Sequence, residues 1–475
     1  MTSTIEQLAR FSRQNTYDAL PCEVVAEIKR ILLDSIGCAL AAQDSQIGRI
    51  GIEYGNLLGG AEAAASIIGR KQKCSVFGAA FANAELINAL DYDCVLPPGH
   101  VTPYVLPSAL AIAESSGSTG QELICALAIA HEMSFRLGKA MDYLRDVKDG
   151  KVRPPPVYGY ASSIFGGTAA IARLKGFSLE QAASALGIAA SITPVNSQAS
   201  WFRHLPLSTI KYLSAGGMAL SALHAAYLAE LGHRGDIAAL DDKEFGYARF
   251  IGTSRWDVDA ITDGIGDEWR FPRHQTFKPY PHCRIFHALI QSLLEIIEEQ
   301  SIEPDEIQCI KAWVEGFVEQ PVWLNREITS PVDAQFSLAH GLAVAAHRIP
   351  IGKKWQDPEI VFNPSVLALM NKVQHQIHPN YVELLSSNAG SQPARIEVMA
   401  RGQTFVRERL FPKGTKSADP DSEMTTEELV AKFKNNAEAS LSRECSEQMI
   451  EQIMNLEKNA DITSFCDKLR AGVLA

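Results

Sequence analysis

Features that would place this chain in a familiar class are largely missing from its sequence. The nine cysteines are scattered and form no CxxC pair, so zinc, iron–sulfur and thioredoxin-like sites lack their usual ligand spacing. No uncharged apolar run reaches about 18 residues, which argues against a transmembrane helix. The chain also has no Walker A, HExxH or GxSxG motif, and no GxGxxG after a predicted strand. The sequence therefore predicts no metal site and no nucleotide-binding domain.

An excess of basic residues is also missing, since the formal net charge is −11. This acidic balance argues against nucleic acid or an anionic membrane as a partner. The first 21 residues are polar and lack the apolar core of a signal peptide, and scattered thiols suit a reducing compartment. We therefore expect a cytoplasmic protein, in which a local cluster of basic residues is explained by a small anionic ligand.

Roughly the first half of the chain predicts successive helices. In residues 21–42 the apolar side chains recur at helical spacing, and Gly37 lets another backbone come close. Residues 165–192 and 213–232 are rich in alanine and glycine, which permits tight packing between helices. We predict an all-α helical domain over residues 1–267.

The composition changes after about residue 260. Alternating apolar residues predict strands over 306–317 and 393–411, and the second range reads as two strands around the turn "ARGQ". Helical patterns lie between these strands, so we predict a smaller α+β domain over 268–408. The charged, helical residues 409–475 are predicted to return to the helical domain. The expected fold class is therefore mainly α with a smaller α+β domain.

The first stretch that carries chemistry lies between two apolar helical patterns. Asp91 and Asp93 end the first pattern, and a loop rich in proline and glycine then holds His100. An aspartate can orient a histidine, and histidine is the usual proton carrier near neutral pH, so this loop is a candidate acid–base site. The alternative is that these residues only cap the ends of the helices.

A second stretch places cationic residues beside a helix of small side chains. Arg203, His204 and Lys211 lie here, and a lysine next to alanine and glycine can be partly buried, where its charge needs an anion. The alternative is a lysine whose stem covers apolar surface while its ammonium group reaches water, next to an arginine at the surface.

The third stretch is "FKPYPHCRIFH", residues 277–287. It combines Lys278, Tyr280, His282 and Arg284 with two prolines that keep it irregular until a helix begins near Arg284. A rigid cationic loop at a helix N-terminus suits a carboxylate or a phosphate. The alternative is that these charges form ion pairs between two domains.

Four motifs in this order resemble those of the MmgE/PrpD family, which includes 2-methylcitrate dehydratase, cis-aconitate decarboxylase and iminodisuccinate epimerase. They are "ALDYD…GHVTPYVLPSALAIAE", "STIKYLSAGG", "FKPYPHCRIFH" and "WLNREITSPVDAQFSLAHGLAVA". The resemblance implies a large all-α domain plus an α+β lid domain, with the active site between them. It also implies a homodimer that uses no metal or organic cofactor and acts on a small di- or tricarboxylate.

The resemblance and the residue patterns together identify candidate site residues. The catalytic candidates are Asp91, Asp93, His100, Lys211, Lys278 and Tyr280, and the candidate substrate-binding residues are Tyr158, Tyr160, Arg203, His204, His282, Arg284 and Trp323. Several positions depart from the family pattern, among them Ser214 and the Val101-Thr102 pair after His100. Val157 stands where a histidine is often found, and Trp323 stands where the decarboxylase has tyrosine.

We expect proton transfer at a carbon next to a carboxylate. Lys211, Lys278 and Arg284 would hold the carboxylates and stabilise enediolate-like charge. His100 would be the acid or base, with Tyr280, Tyr158 or Tyr160 as a second proton carrier. A 2-methylcitrate dehydratase-like hydro-lyase ranks first, and decarboxylase or epimerase activity second. A non-catalytic carboxylate-binding protein is the alternative from another functional class.

Overall fold

The structure, a computed structural model, describes residues 2–59, 63–97, 99–141, 145–153, 155–157, 159–194, 198–388 and 390–472. The α-helices are α1 Thr4–Gln14, α2 Cys22–Ala41, α3 Gln46–Leu57, α4 Val76–Asn88, α5 Thr102–Ser116, α6 Gly120–Ala140, α7 Ser163–Leu174, α8 Leu179–Ile192, α9 Gln198–Trp201, α10 Ile210–Glu230, α11 Tyr247–Ile251, α12 Val258–Thr262, α13 His287–Gln300, α14 Pro321–Leu324, α15 Pro331–Phe336, α16 Leu338–Ala346, α17 Pro358–Val361, α18 Pro364–Met370, α19 Tyr381–Ser387, α20 Thr426–Ala437, α21 Arg443–Met454 and α22 Ile462–Ala471. The strands are β1 Ala65–Ser66, β2 Lys73–Cys74, β3 Asp146–Lys148, β4 Lys151–Arg153, β5 Ile307–Val314, β6 Val373–Ile377, β7 Ala394–Ala400 and β8 Gln403–Arg409.

The N-terminal helices pack around α4, α5, α6, α7 and α10, which are buried along most of their lengths. Small side chains permit this, as the alanine-rich sequence predicts. Gly37 of α2 shows the effect, because a Cβ added there would lie 3.2 Å from Cδ2 of Phe433. Phe433 belongs to α20, so a C-terminal helix packs directly on α2.

The second part of the structure is built around a four-stranded mixed sheet in the order β6-β5-β7-β8. β5 runs parallel to β6 and antiparallel to β7, with Ile310 paired to Val373 on one side and Val398 on the other. Apolar residues alternate along β7, so one face is buried under α13. The strands predicted over 306–317 and 393–411, and the mainly α class with a smaller α+β part, are confirmed.

Two short hairpins were not predicted. β1 pairs with β2, and β3 pairs with β4, each antiparallel. Their strands have only two or three residues, which is too short for an alternating pattern to appear in the sequence. Among the described residues, no helix is long and apolar enough to cross a membrane.

Candidate active site

A cavity of about 600 Å³ lies where loops between the N-terminal helices meet loops of the sheet-containing part. Asp91, His100 and Lys211 reach it from the helices, and Lys278 and Arg284 reach it from the "FKPYPHCRIFH" stretch. The three stretches that the sequence singles out therefore meet at one place. Asp91 in the first and Lys278 in the third are more than 180 residues apart along the chain and the second lies between them, so only the fold brings them together.

The geometry begins where α4 ends and the chain turns sharply at Asp91. This residue is 2% exposed and has a φ of 47°, in the left-handed region that costs energy for a residue with a Cβ. The turn is held by Lys278, whose Nζ donates to the backbone carbonyl of Asp91 and to its Oδ2 at 2.7 Å. Because strain of this kind persists only when the surroundings enforce it, the position of the Asp91 carboxylate is tightly determined.

Asp91 bridges the two lysines. Its Oδ1 lies 2.9 Å from Nζ of Lys211, and its Oδ2 lies 2.7 Å from Nζ of Lys278. Burial alone would raise the pKa of the Asp91 carboxyl, but the two ammonium groups outweigh it and hold this pKa well below its ordinary value. Asp91 is thus a fixed anion, and it cannot be the acid that delivers a proton.

His100 lies between the two aspartates. Its Nδ1 is 2.8 Å from Oδ2 of Asp93, and its Nε2 is 3.2 Å from Oδ1 of Asp91. Both ring nitrogens therefore face carboxylate oxygens, and both can donate only when the ring carries two protons. Burial would raise the pKa of Asp93, but His100 outweighs it and lowers this pKa. The two carboxylates thus fix the orientation of the imidazole beside the cavity.

Asn88 connects these groups and was missed by the sequence analysis. Its Nδ2 donates to Oδ1 of Asp93 at 2.9 Å, and its Oδ1 accepts from Nζ of Lys211 at 3.1 Å. Asn88 is the last residue of α4 and lies almost one helical turn before Asp91. Its position three residues before Asp91 is the sequence feature that could indicate a role in the site, but an asparagine at a helix end is usually interpreted as a cap.

Tyr160 lines the cavity beside His100, with their ring centroids 6.4 Å apart. Gly99 makes this approach possible, because a Cβ there would lie 1.9 Å from Cε1 of Tyr160, and its φ is 152°. Burial and then the charge of Asp91 raise the pKa of Tyr160, so its phenol stays protonated. Tyr158, the other predicted tyrosine, lies outside the described residues, and Val157 is buried.

Arg284 provides a second cationic point in the cavity. It donates to the carbonyl of Lys413 at 2.8 Å and to Oγ1 of Thr415, and no carboxylate within the described ranges pairs with it. Burial lowers the pKa of its guanidinium to about 9. Arg145 lies at the same end of the cavity and binds Glu315 at 2.6 Å. A half-buried cation without an acidic partner among the described residues favours an anionic ligand.

The structure places four predicted residues away from the cavity. The Tyr280 ring stacks on Trp355 at a centroid distance of 5.9 Å. His282 is buried with its Nε2 3.2 Å from the Ser337 carbonyl. The other two, Arg203 and His204, are exposed. Trp323, in contrast, lines the cavity.

Glu85 is a buried carboxyl near the site, and its titration should make the stability of the fold depend on pH. Its carboxyl is 3% exposed and accepts from the backbone nitrogen of Gly216 at 3.4 Å. Burial raises the pKa of Glu85 from 4.5 to about 7. The folded state therefore holds this proton more tightly than the unfolded state. The associated stability is complete below pH 4.5 and is lost as the pH rises through 7, by about 3 kcal/mol.

Glu85→Gln is therefore expected to raise the melting temperature at pH 8 and to change it little at pH 5, because glutamine has no proton to lose. Thermal melts of both proteins at the two pH values measure this. Glu53→Gln, at an exposed position of α3, is the control and should show no such difference. Equal melting temperatures for Glu85→Gln and wild type at pH 8 would contradict the assignment.

Both halves of the chain match models of one protein family. The MmgE/PrpD N-terminal domain matches residues 6–259, and the MmgE/PrpD C-terminal domain matches residues 280–458. These matches confirm the resemblance that the four motifs indicate.

Relatives that align with this chain over most of their length support the same family. The chain is 23% identical to the cis-aconitate decarboxylase-like protein oryM of Aspergillus oryzae, over 94% of this chain and 92% of that protein. It is 24% identical to human cis-aconitate decarboxylase, over 92% and 88%, and 23% identical to a cis-aconitate decarboxylase of Aspergillus terreus, over 96% and 94%. By name these relatives are carboxylate lyases. The chain belongs to the MmgE/PrpD family.

Proposed function

We propose that the protein is a lyase that acts on a small di- or tricarboxylate by acid–base chemistry, with proton transfer at a carbon next to a carboxylate. The observation that carries this proposal is His100, whose two ring nitrogens face the carboxylates of Asp91 and Asp93 inside a cavity that also contains two buried lysines. A proton carrier next to fixed cations is what such a reaction needs.

The lysines retain donors for a substrate. An ammonium group has three N–H donors. Lys211 donates one of them to Asn88 and forms an ion pair with Oδ1 of Asp91 at 2.9 Å, and Lys278 donates two to the carbonyl and the carboxylate of Asp91. One N–H on each lysine is left for a substrate carboxylate. Arg284, without an acidic partner among the described residues, would hold a second carboxylate.

Decarboxylation is the reaction we favour within this class. The bond between a carbon and its carboxylate breaks, CO₂ leaves, and the electron pair delocalises toward a neighbouring carboxylate held by Lys211 and Lys278. His100 then delivers its proton to the carbon and is reprotonated from water. One proton carrier suffices, and the names of the relatives support this order over the hydro-lyase that the sequence ranked first.

Loss of water is the second candidate. It needs a base for the proton on carbon and an acid for the departing hydroxide. Tyr160 supports it, because its protonated phenol lies on the cavity wall beside His100. His100 would then be the base and Tyr160 the acid.

Incubation in D₂O with the tricarboxylates cis-aconitate, citrate and 2-methylcitrate, and with the substituted dicarboxylates citramalate, citraconate and 2-phenylmalate, separates these reactions. Release of CO₂ with one deuterium in the product identifies decarboxylation, and an unsaturated product with the carboxylates retained identifies dehydration. Exchange at carbon without net reaction indicates an epimerase. If no acid exchanges or reacts but several raise the melting temperature, the lyase proposal is wrong and the protein only binds carboxylates.

A further inference from the structure

One side of the cavity is a cluster of five aromatic side chains, which we call the aromatic wall: Trp201, Phe202, Phe317, Trp323 and Phe336. None of these residues is more than 7% exposed. The wall is made from two segments of the chain that are more than 100 residues apart. It is distinct from the lysines and carboxylates that carry the proposed chemistry.

The rings of the aromatic wall hold one another in place. Phe202 stacks on Trp323 with centroids 5.2 Å apart and an interplanar angle of 18°. Phe317 packs on both, at 5.8 Å and 5.0 Å. Trp201 meets Phe336 edge to face at 4.8 Å and 86°. Such pairs are stabilising beyond the burial of their area, so the wall is preformed before any ligand arrives.

The aromatic wall begins next to the groups that would hold the substrate. Nζ of Lys211 lies 5.8 Å from the ring centroid of Phe336, and the same Nζ is 2.9 Å from Asp91. A molecule held by the remaining N–H of Lys211 would therefore contact aromatic rings with its neighbouring atoms. The volume of about 600 Å³ is in the range of pockets that enclose drug-sized ligands.

Carboxylates and apolar groups differ in how favourably they bind against the aromatic wall. A carboxylate placed against rings loses its hydration and gains few hydrogen bonds, which is unfavourable. An alkyl or aryl group gains from leaving water and from contact with the rings. Two carboxylates can be accommodated elsewhere, one at Lys211 and Lys278 and one at Arg284. The wall itself carries no charged side chain to hold a third, and Nε1 of Trp323 is its one buried side-chain N–H without a hydrogen-bond partner among the described residues.

Building on the proposed function, we propose that the aromatic wall is the subsite for an apolar substituent of the substrate. The substrate class is then a dicarboxylate with an alkyl or aryl group on its carbon chain, rather than a tricarboxylate. Trp323 contributes one of the two indole rings of this subsite. The family pattern of the decarboxylase has tyrosine at that position, so the indole replaces a hydroxyl with an N–H and enlarges the ring surface.

Binding of unreactive probes tests this without relying on turnover. Succinate, phenylsuccinate and tricarballylate present two carboxylates, two carboxylates with an aryl group, and three carboxylates. Titration calorimetry is expected to show that phenylsuccinate binds at least about tenfold more tightly than either of the others. Trp323→Ala should reduce this preference to less than about threefold, and Trp323→Phe should keep most of it.

Matched variants separate the subsite from the stability of the fold. Trp355→Phe alters a buried indole that stacks on Tyr280 outside the cavity, and it should leave the preference unchanged. If Trp323→Ala does not fold, Phe317→Leu removes a ring but keeps an apolar side chain, and it should also weaken the preference.

Two outcomes would overturn the aromatic subsite. One is tricarballylate binding as tightly as phenylsuccinate, and the other is Trp323→Ala weakening all three probes equally. Either result leaves the lyase proposal intact. If none of the three acids binds and no acid in the D₂O panel reacts, the proposed function itself fails, and the subsite fails with it.

Discussion

Replacement of His100 by glutamine is expected to lower turnover by about 10²–10⁴-fold on whichever acid the wild-type protein converts. Glutamine retains a hydrogen-bonding side chain between Asp91 and Asp93, but it cannot carry the proton. The melting temperature should change much less than the rate, because the aspartates keep their contacts with Lys211, Lys278 and Asn88. Initial rates at saturating substrate, together with thermal melts, measure the two effects separately.

The control for this experiment is His204→Gln. His204 is exposed and 3.0 Å from the hydroxyl of Ser200, so its loss should not affect the rate. Near wild-type turnover in His100→Gln would refute the role of His100. A large loss in His204→Gln would instead support the sequence prediction that His204 binds substrate, and would show that this surface takes part in the reaction.

Asp93→Asn separates positioning from proton transfer at the same histidine. The variant keeps a side chain of the same shape but removes the charge that faces Nδ1 of His100 at 2.8 Å. The imidazole should then lose the carboxylate that orients its Nδ1, so kcat should fall while KM changes little. Loss of a purely structural contact would instead lower the melting temperature together with the rate.

Local clustering explains why much of the site was visible in the sequence. Asp91, Asp93 and His100 lie within ten residues, and Lys278 lies in a conspicuous group of cationic residues. The structure brings these two groups together through the ion pair of Asp91 and Lys278. Residues that cluster along the chain stay close together in the fold, so such patterns can be recognised without knowing the long-range packing.

Contacts between distant segments explain what the sequence could not reveal. Tyr280 is only two residues from Lys278, but Trp355 from another segment packs on its ring and holds it outside the cavity. The aromatic wall joins residues near 201 with residues 317–336, and an isolated aromatic residue in either segment looks like ordinary core. Proximity along the chain therefore predicted Tyr280 in the site and gave no indication of the wall.

Lys432 is a further residue whose role depends on contacts between distant segments of the chain. It lies on α20, in a tail that the sequence shows only as charged and helical. In the structure it is 7% exposed, and its Nζ is 2.6 Å from Oδ1 of Asp34. The same Nζ donates to the backbone carbonyls of Tyr92 at 2.7 Å and Lys278 at 2.9 Å.

Lys432 thus ties together two of the three segments that form the candidate site. Tyr92 lies between Asp91 and Asp93, and Lys278 is the lysine that holds Asp91 in its left-handed conformation. Asp34 completes the network by accepting from the backbone nitrogen of Cys94 at 2.9 Å. The ammonium group therefore fixes the backbone on both sides of the Asp91–Lys278 ion pair without entering the cavity.

Lys432→Met is expected to destabilise the protein by about 3–5 kcal/mol, because it leaves the buried carboxylate of Asp34 without its partner. Burial already raises the pKa of Asp34, so the carboxyl without its lysine should take up a proton more readily. The destabilisation should therefore shrink as the pH is lowered. Chemical denaturation of the variant and the wild type at pH 7.5 and pH 5.5 measures both effects.

The double variant Asp34→Asn/Lys432→Met distinguishes the charge from the backbone contacts. Removing both charges should recover part of the lost stability, and the remainder reflects the carbonyls of Tyr92 and Lys278 that have lost their donor. Turnover should stay low in the folded double variant, because the Asp91 loop and the Lys278 segment are no longer tied to each other. Full recovery of turnover would show that Lys432 acts only through the charge of Asp34.

Lys434→Met provides the matched control on the same helix. Lys434 has a side chain that is 48% exposed and lies 3.7 Å from Glu447, so its loss should change stability by less than about 1 kcal/mol. If Lys432→Met unfolds at the same denaturant concentration as Lys434→Met and keeps its turnover, the buried network does not hold the site together. If only Lys432→Met loses both properties, the C-terminal helix is part of what makes Asp91, His100 and the two lysines a working arrangement.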